Sequence, residues 1–551
     1  MSVDPSVSTS ARLAIISFII SGFQSLENVL VRKECAPLVS ISIWHNLSSD
    51  ETRERVLGKT ATLKKAWRAS TKRYEAGDES AKAKLRFERS WLYTMLLDFL
   101  RRLNGPEKEQ PEDLRYCERF LELLVDLESQ LPTRRYVDTL LKDLNLLPVI
   151  RLSQLYRTPD NALFRDFYNL LKHFVNFAID DYSGEALSSQ AVYDLHCQQL
   201  AQLQRCSMKN FKDKLMILAL SNYGSIEQRS ELEGQLSSLD ESELENLCAL
   251  LGFRTNYPKQ AQITPDRHLY LEILLSFYER RLSFQEASSH LSVAPTEESL
   301  YDPALLRNET YDGSRPLAIP KFNLQYLSLG DFLWRSFLLY RSEAFFEIRK
   351  DMEAIIKRMQ PRASRDGKSL TFDGFSRMAI PISKPAIIEV APPKVGSANP
   401  AFVRAEIAIE VGRLAEHIRR EWDSLRPDDV VFLMAVQANS LTKADGPGLS
   451  YLRTAQVVQV LDENSRPLRE HQFGGANGYT SRPRLRRLLV DLDAATFKAD
   501  RDRMLQGKPD IYPFINVIAR RKGRANNFKS ILETIQKLIV SDITLPPWIQ
   551  D

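Results

Sequence analysis

Between residues 317 and 361 the spacing of apolar residues along this chain changes period. Upstream they recur every three or four residues, as on one face of an α-helix; downstream they alternate in twos, as on one face of a β-strand. A helical part and a sheet part are therefore expected on either side of a joining element. That stretch, LAIPKFNLQYLSLGDFLWRSFLLYRSEAFFEIRKDMEAIIKRMQP, itself predicts a long amphipathic helix. Phe332, Leu333, Phe337, Tyr340, Phe345, Ile348, Met352, Ile355, Ile356 and Met359 share its apolar face. Asp331 stands where a short acceptor side chain caps the first amides. Pro361 marks the exit, because the residue before a proline avoids helical angles. The pattern favours a buried helix joining two domains over a ligand-contacting role. A length of 551 residues agrees, since single cores stop growing near about 250–300 residues.

The helical part runs to about residue 300. One apolar face comprises Trp91, Leu92, Met95, Leu96, Phe99 and Leu100; another comprises Tyr116, Phe120, Leu123, Leu124 and Leu127, with Pro132 expected to close that helix. Further faces are Phe164, Phe167, Leu170, Leu171, Phe174 and Val175; then Leu244, Leu247, Leu250 and Leu251 before Gly252; then Leu269, Ile273, Leu274 and Phe277. Helices with one broad apolar side and short links must cover one another, which predicts an α-solenoid of the armadillo or HEAT kind without a fixed sequence period. Solenoids usually present surfaces to partners. The early run LAIISFII, residues 13–20, is too short to span a bilayer, which takes about 20 apolar residues, and reads as a buried helix. Five single cysteines, Cys35, Cys117, Cys197, Cys206 and Cys248, fit buried thiols in a reducing compartment.

Beyond residue 371 the text alternates. In FVRAEIAIEV, residues 402–411, Val403, Ala405, Ile407, Ile409 and Val411 lie on one face and Arg404, Glu406 and Glu410 on the other, as in a half-buried antiparallel strand. Strands are also expected at 386–390, 430–437, 455–461, 485–492 and 514–519, enough for a small antiparallel β-barrel. Leu414, Ile418, Trp422 and Leu425 mark a helix between strands. A last amphipathic helix carries Phe528, Ile531, Leu532, Ile535, Leu538 and Ile539, with Asn526 or Asn527 as its cap. The fold class is thus multidomain α + β: solenoid at 1–300, linker and stalk helix at 301–370, β-barrel at 371–522, and a C-terminal helix and tail at 523–551. LPPWIQD at the end reads as text that leads into something further.

Familiar catalytic patterns are missing. There is no GxxxxGK[ST] phosphate loop and no HExxH, and the seven histidines are dispersed without zinc-ligand spacing. The run around Gly448 and Ser450 lacks the second glycine of a nucleophile elbow. Asp240, Glu241 and Glu243 read as a helix start, where acids suit the dipole. The glycosylation patterns at Asn46 and Asn308 carry little weight in a reduced protein. No catalytic residue, metal site or cofactor is expected in this chain.

Charge is unevenly shared. Residues 371–551 hold 26 Lys and Arg against 21 Asp and Glu, a net of +5 within an overall +4. Arg482, Arg484, Arg486 and Arg487 flank a glycine-rich turn at 474–478, and Arg520, Arg521, Lys522 and Arg524 end the last strand. Loop-borne arginines at a barrel rim suit RNA phosphates, which position a strand without reading it. The competing reading is ion pairing with Asp491, Asp493, Asp500 and Asp502; RRKGR also passes as a nuclear-import match. A third basic stretch, residues 53–89, mixes both signs and reads first as a solvated helix face laced with ion pairs, second as a nucleic-acid edge.

Several long strings resemble the aquarius family of intron-binding spliceosomal RNA helicases. They are YCERFLELLVDLESQLPTRR (116–135), ALSN (219–222), ELEGQLSSL (231–239) and LEILLSFYERR (271–281), then the whole joining stretch, FDGFSRMAIPI (372–382) and IIEVAPP (387–393). In the barrel part they are VRAEIAIEV (403–411), HIRREWDSLRPDDVVFL (417–433), INVIARRK (515–522), NNFKSILETIQ (526–536) and LPPWIQD (545–551). The likeness begins near Phe23. It implies an armadillo-like arm, a stalk and a β-barrel ahead of two RecA-like motor domains of a superfamily 1 helicase. It also implies spliceosome subunits as partners of the arm, intron RNA backbone as a second partner, no membrane, and a nuclear location. The chain departs from the pattern by ending where the motor is expected, so ATP binding and unwinding are not carried over. Residues 437–451 look shorter than usual, and the start looks short of the family's first helices, as in a shortened product or an incomplete gene model. An α-solenoid adaptor without an RNA role is the alternative; an ATPase is a distant third.

Overall fold

The computed structural model describes residues 7–103, 111–313, 315–363, 370–438, 448–467, 484–521 and 527–541. The chain divides into two compact units: residues 1–289, 311–336 and 539–551 in one, 290–310 and 337–538 in the other.

The first unit is an array of helices in which neighbours in sequence pack on one another: Glu79–Leu103 on Pro111–Glu128, that on Leu131–Asp143, and that on Leu146–Leu152. Sequential stacking of this kind suits an armadillo-like array, although the heaviest packing joins helices that are apart in sequence. Its hub is Pro111–Glu128, buried almost without break from Tyr116 to Gln130 and packed against Thr9–Phe23 and Ala162–Val175. Pro132 does not close the hub helix; it sits in the first turn of the next, where a missing N–H is no loss. The LAIISFII run is helical but one-sided: Ile16 and Ile20 are buried, whereas Phe18 is 80% exposed. Asp240 and Glu243 form a reciprocal capping box (both bonds 2.9 Å), and Gly252 ends that helix at φ +84. Cys117 and Cys248 are buried, and burial pushes the Cys248 thiol up to about 12.

Buried charge in this unit is paired. Lys321 reaches Glu122 at 2.7 Å and Asp126 at 3.0 Å on the hub helix, and Gln24 donates to Asp126 at 2.7 Å. Arg134, on the next helix, bonds Glu128 at 3.2 Å and Asp181 at 2.8 Å. Asp331 and Arg335 are both fully buried and joined by two bonds of 2.9 and 2.7 Å. The guanidinium also donates to the carbonyls of Lys321 and Ser129. Asp331 is therefore not the cap: it is the third residue of the joining helix, Ser328 Oγ accepts from Asp331 N at 3.2 Å in the capping role, and the Asp331 carboxylate instead accepts from Leu327 N and holds Arg335.

The joining helix spans Leu329–Met359, its residues through Ser336 belonging to the first unit and those from Phe337 to the second. Phe337, Phe345, Ile348, Met352, Ile355, Ile356 and Met359 are buried as the periodicity predicts, but Phe332 is exposed.

The second unit is built on antiparallel strands: β1 (Pro361–Ala363), β2 (Leu370–Phe372), β3 (Ala379–Pro381), β4 (Ala386–Val390), β5 (Val403–Glu410), β6 (Val430–Val436), β7 (Leu449–Leu461), β8 (Leu485–Leu492) and β9 (Val517–Arg520). β1 pairs with β2, and the rest form one seven-stranded sheet in the order β3-β9-β6-β7-β8-β5-β4. Alternation along β5 puts Val403, Ala405, Ile407 and Ile409 into a core shared with Val431, Leu433, Val457, Leu488, Val490 and Trp422. β6 is buried on both faces, because Phe432 turns outward to stack on Phe528 of the helix Phe528–Val540. Asn527 begins that helix through its carbonyl, which accepts from Ile531 N at 3.1 Å. Arg453 on β7 is buried and holds Asp500 through bonds of 2.6 and 2.7 Å and Glu297 at 2.6 Å. Asp500 lies on the helix Ala494–Leu505, for which the sequence offered no expectation.

Candidate nucleic-acid interface

The basic residues predicted to touch RNA lie on the second unit; Arg482, Lys522 and Arg524 fall outside the described residues. Arg486 and Arg487 are borne by a strand, β8, not by a loop, so alternation sends their side chains to opposite faces. Arg486 points inward, is 2% exposed, and grips Asp423 through bonds of 2.7 and 3.2 Å. Arg487 points outward, keeps about a third of its side chain exposed, and pairs with Glu406 of the neighbouring β5 at 3.2 Å. Arg484 precedes the strand and is exposed.

At the other cluster, Arg520 ends β9. Its guanidinium pairs with Glu421, donates to the Glu421 carbonyl at 3.2 Å, and lies 5.5 Å from the Trp422 ring centre. Burial lowers its pKa, against the pull of Glu421. Arg521 is 5% exposed and pairs with Asp351 at 2.5 Å and Glu347 at 3.2 Å on the joining helix.

Two of these arginines meet on one short element. The helix Glu416–Asp423 has Ile418 and Trp422 in the sheet core, and its last turn takes Arg520 from β9 on Glu421 and Arg486 from β8 on Asp423. Trp422 Nε1 donates to the Arg377 carbonyl at 3.2 Å, which fixes the turn. β8 and β9 are separated in the sheet by β6 and β7. The helix Glu416–Asp423 thus links one arginine of each cluster through the carboxylates of Asp423 and Glu421.

The carboxylates weighed as ion-pair partners serve elsewhere. Asp491 pairs with Arg404 at 3.0 Å, Asp493 caps the helix Ala494–Leu505 through Thr496, and Asp500 holds Arg453. The partners found, Asp423, Glu406, Glu421, Glu347 and Asp351, lie 63 to 174 residues away in sequence. No local spacing announces them. Among the described residues no group of three or more His, Cys, Asp or Glu could hold a metal, and no helix is long and apolar enough to cross a membrane.

A helical array followed in sequence by an antiparallel sheet, with arginines on two of its strands, is the class of architecture the chain presents. A family model described as "Intron-binding protein aquarius N-terminal" matches residues 1–282, and one described as "Intron-binding protein aquarius, beta-barrel" matches residues 360–521. The chain belongs to the aquarius family. The first match reaches back to residue 1, further than the quoted strings did. The RNA helicase aquarius of Mus musculus is 34% identical over 566 aligned residues, covering 100% of this chain and 38% of that protein. The pre-mRNA-splicing factor cwf11 of Schizosaccharomyces pombe is 22% identical over 295 residues, covering 51% of this chain and 22% of that protein. The chain therefore spans well under half the length of these relatives and corresponds to the N-terminal region of the mouse protein.

Proposed function

We propose that this chain is the scaffold region of an aquarius-type splicing protein. Its helical array docks protein subunits of the spliceosome, and its barrel steers intron RNA by phosphate contacts, in the nucleus. The observation that carries the reading is the alignment of the whole chain, at 34% identity, with a relative named for RNA helicase activity. The second relative is named for pre-mRNA splicing. Unwinding would be work of the longer protein; this region takes no cofactor and performs no reaction of its own.

RNA contact falls first to Arg484 and Arg487, whose side chains reach solvent, with Arg482, Lys522 and Arg524 from the same two clusters. Arg486, Arg520 and Arg521 support that surface from beneath through their carboxylate partners. Contacts of this kind neutralise phosphates and release counterions, so affinity must fall with salt, by about 0.7 in log–log slope per phosphate of a single strand. Titrating labelled single-stranded RNA against the chain across salt concentrations tests it: four contacts predict a slope near about −3. Arg484→Gln with Arg487→Gln should flatten that slope equally for unrelated RNA sequences.

A specific observation favours the other reading, a protein adaptor without an RNA role: four of the five described arginines at the two clusters are engaged by carboxylates of the chain itself. Undetectable or salt-independent RNA binding, with partner docking retained, would select it.

A further inference from the structure

A separate charged surface lies in the helical unit, on the helix Ala61–Glu75, ATLKKAWRASTKRYE. Its seat is well defined. Thr60 accepts from Leu63 N at 3.3 Å, Leu63 is buried, and Trp67 lies 4.3 Å from the His45 ring and 5.0 Å from the Arg53 guanidinium. The outward positions are then Ala61, Thr62, Lys64, Lys65, Arg68, Ala69, Lys72, Arg73 and Glu75.

Lys64, Arg68 and Lys72 follow one another at i, i+4 and i+8, with Lys65 beside the first, so they form a row about 12 Å long at 1.5 Å per residue. Mixed signs across residues 53–89 had suggested that such cations are neutralised by neighbours. They are not: among the described residues Lys64, Lys65, Arg68 and Lys72 have no carboxylate within ion-pair distance. The nearby acids are spent elsewhere, Glu79 on Arg86 at 3.0 Å and Lys82 at 3.9 Å, and Glu88 on Arg73 at 3.9 Å. Glu75 is the helix's one acid, at its far end.

We infer that this row is a docking surface for the sugar–phosphate backbone of single-stranded RNA, distinct from the barrel arginines. The choice of partner follows from what accompanies the charges. A protein interface needs apolar anchors at its centre and is depleted of lysine there, whereas nucleic-acid surfaces are positive and polar. Outside its charges this helix exposes only two alanines and a threonine. Trp67 is committed to His45 and Arg53, and Tyr74 lies under the Arg89 guanidinium at 3.9 Å, so neither offers a free face for a base. Lysine-rich point charges without a stacking platform hold phosphates and ignore sequence. The choice of RNA over DNA rests on the function proposed above.

The test compares the full chain with a variant carrying Lys64→Gln, Lys65→Gln, Arg68→Gln and Lys72→Gln, using a labelled single-stranded RNA of mixed sequence, one of unrelated sequence, and polyglutamate of matched charge. The variant should melt at the wild-type temperature, and the log–log salt slope should shrink by about 3, at about 0.7 per phosphate, equally for both RNAs. An unchanged slope, no RNA binding by the wild-type chain, or polyglutamate binding more tightly than RNA each overturns the inference, the last in favour of an acidic protein segment. If the helix variant is silent while Arg484→Gln with Arg487→Gln weakens binding, this surface fails and the barrel reading stands. If the reverse holds, RNA contact survives but the barrel residues lose it.

Discussion

Replacing Arg486 by alanine removes one half of a buried ion pair. Its partner Asp423 is 3% exposed in its side chain, and the two share bonds of 2.7 and 3.2 Å. The substitution leaves a carboxylate with neither water nor its cation, a loss of about 3–5 kcal/mol. With a urea dependence of about 1–3 kcal/mol per molar, the barrel's unfolding midpoint should fall by roughly 2 M. Fluorotryptophan NMR of the full chain gives a local readout, because Trp422 precedes Asp423 and is buried in the same core. Removing both charges with Arg486→Met and Asp423→Leu should restore most of the stability, since the penalty lies in the abandoned charge more than in the lost attraction. Arg484→Ala, at an exposed position, should change stability by no more than about 0.5 kcal/mol. A midpoint that barely moves in Arg486→Ala, or a double variant as unstable as the single one, refutes the structural role given to Arg486.

Trp334 stacks on His173 at 3.8 Å between ring centres and is buried, so Trp334→Ala should cost about 3–5 kcal/mol in chemical denaturation. His173 itself is held down to about 3, by burial first and then by Arg335 and Arg134. Against an unfolded value of about 6.5, the unfolded chain alone takes up this proton as pH falls, so stability is full above about 6.5 and drains away toward about 3. Melting curves of His173→Phe across that window should show a shallower loss than the wild type. Asp126, pushed up to about 6 by burial, acts in the opposite sense in both proteins and drops out of the comparison. A side chain at Gly374 would overlap the Arg358 carbonyl oxygen, so Gly374→Ala should destabilise by about 1–3 kcal/mol, read as a lowered melting temperature.

Where one periodic pattern runs long enough, the sequence was legible. β4 and β8 have the expected bounds, the β5 alternation is buried residue for residue, and the joining helix buries its predicted apolar face from Phe337 onward except for the half-buried Tyr340. Short or polar elements were not. β1, β2 and β3 are three residues each, too short to show a period, and Ala494–Leu505 buries only Phe497 and Asp500. Part of the expected strand at 514–519 is the end of a tight turn, Tyr512–Phe514, and pairing begins at Val517. The arginine clusters stand out by composition, but composition does not tell which guanidinium faces a carboxylate. That is settled by strand parity at Arg486 and Arg487, and by a helix that brings Glu421 and Asp423 across 99 and 63 residues. The mixed charges of residues 53–89 read as ion-paired in one dimension, and Arg53, Arg73, Lys82 and Arg86 do pair; among the described residues Lys64, Lys65, Arg68 and Lys72 have no carboxylate within ion-pair distance.

The most direct measurement is recovery of the tagged chain in spliceosomes assembled in nuclear extract on two RNAs of equal length, one with an intron and one without. A scaffold of the splicing machinery that docks subunits and steers intron RNA should be enriched on the intron-containing RNA, with enrichment persisting when ATP-dependent steps are blocked after assembly. Equal recovery on both RNAs, or recovery on neither, would contradict it.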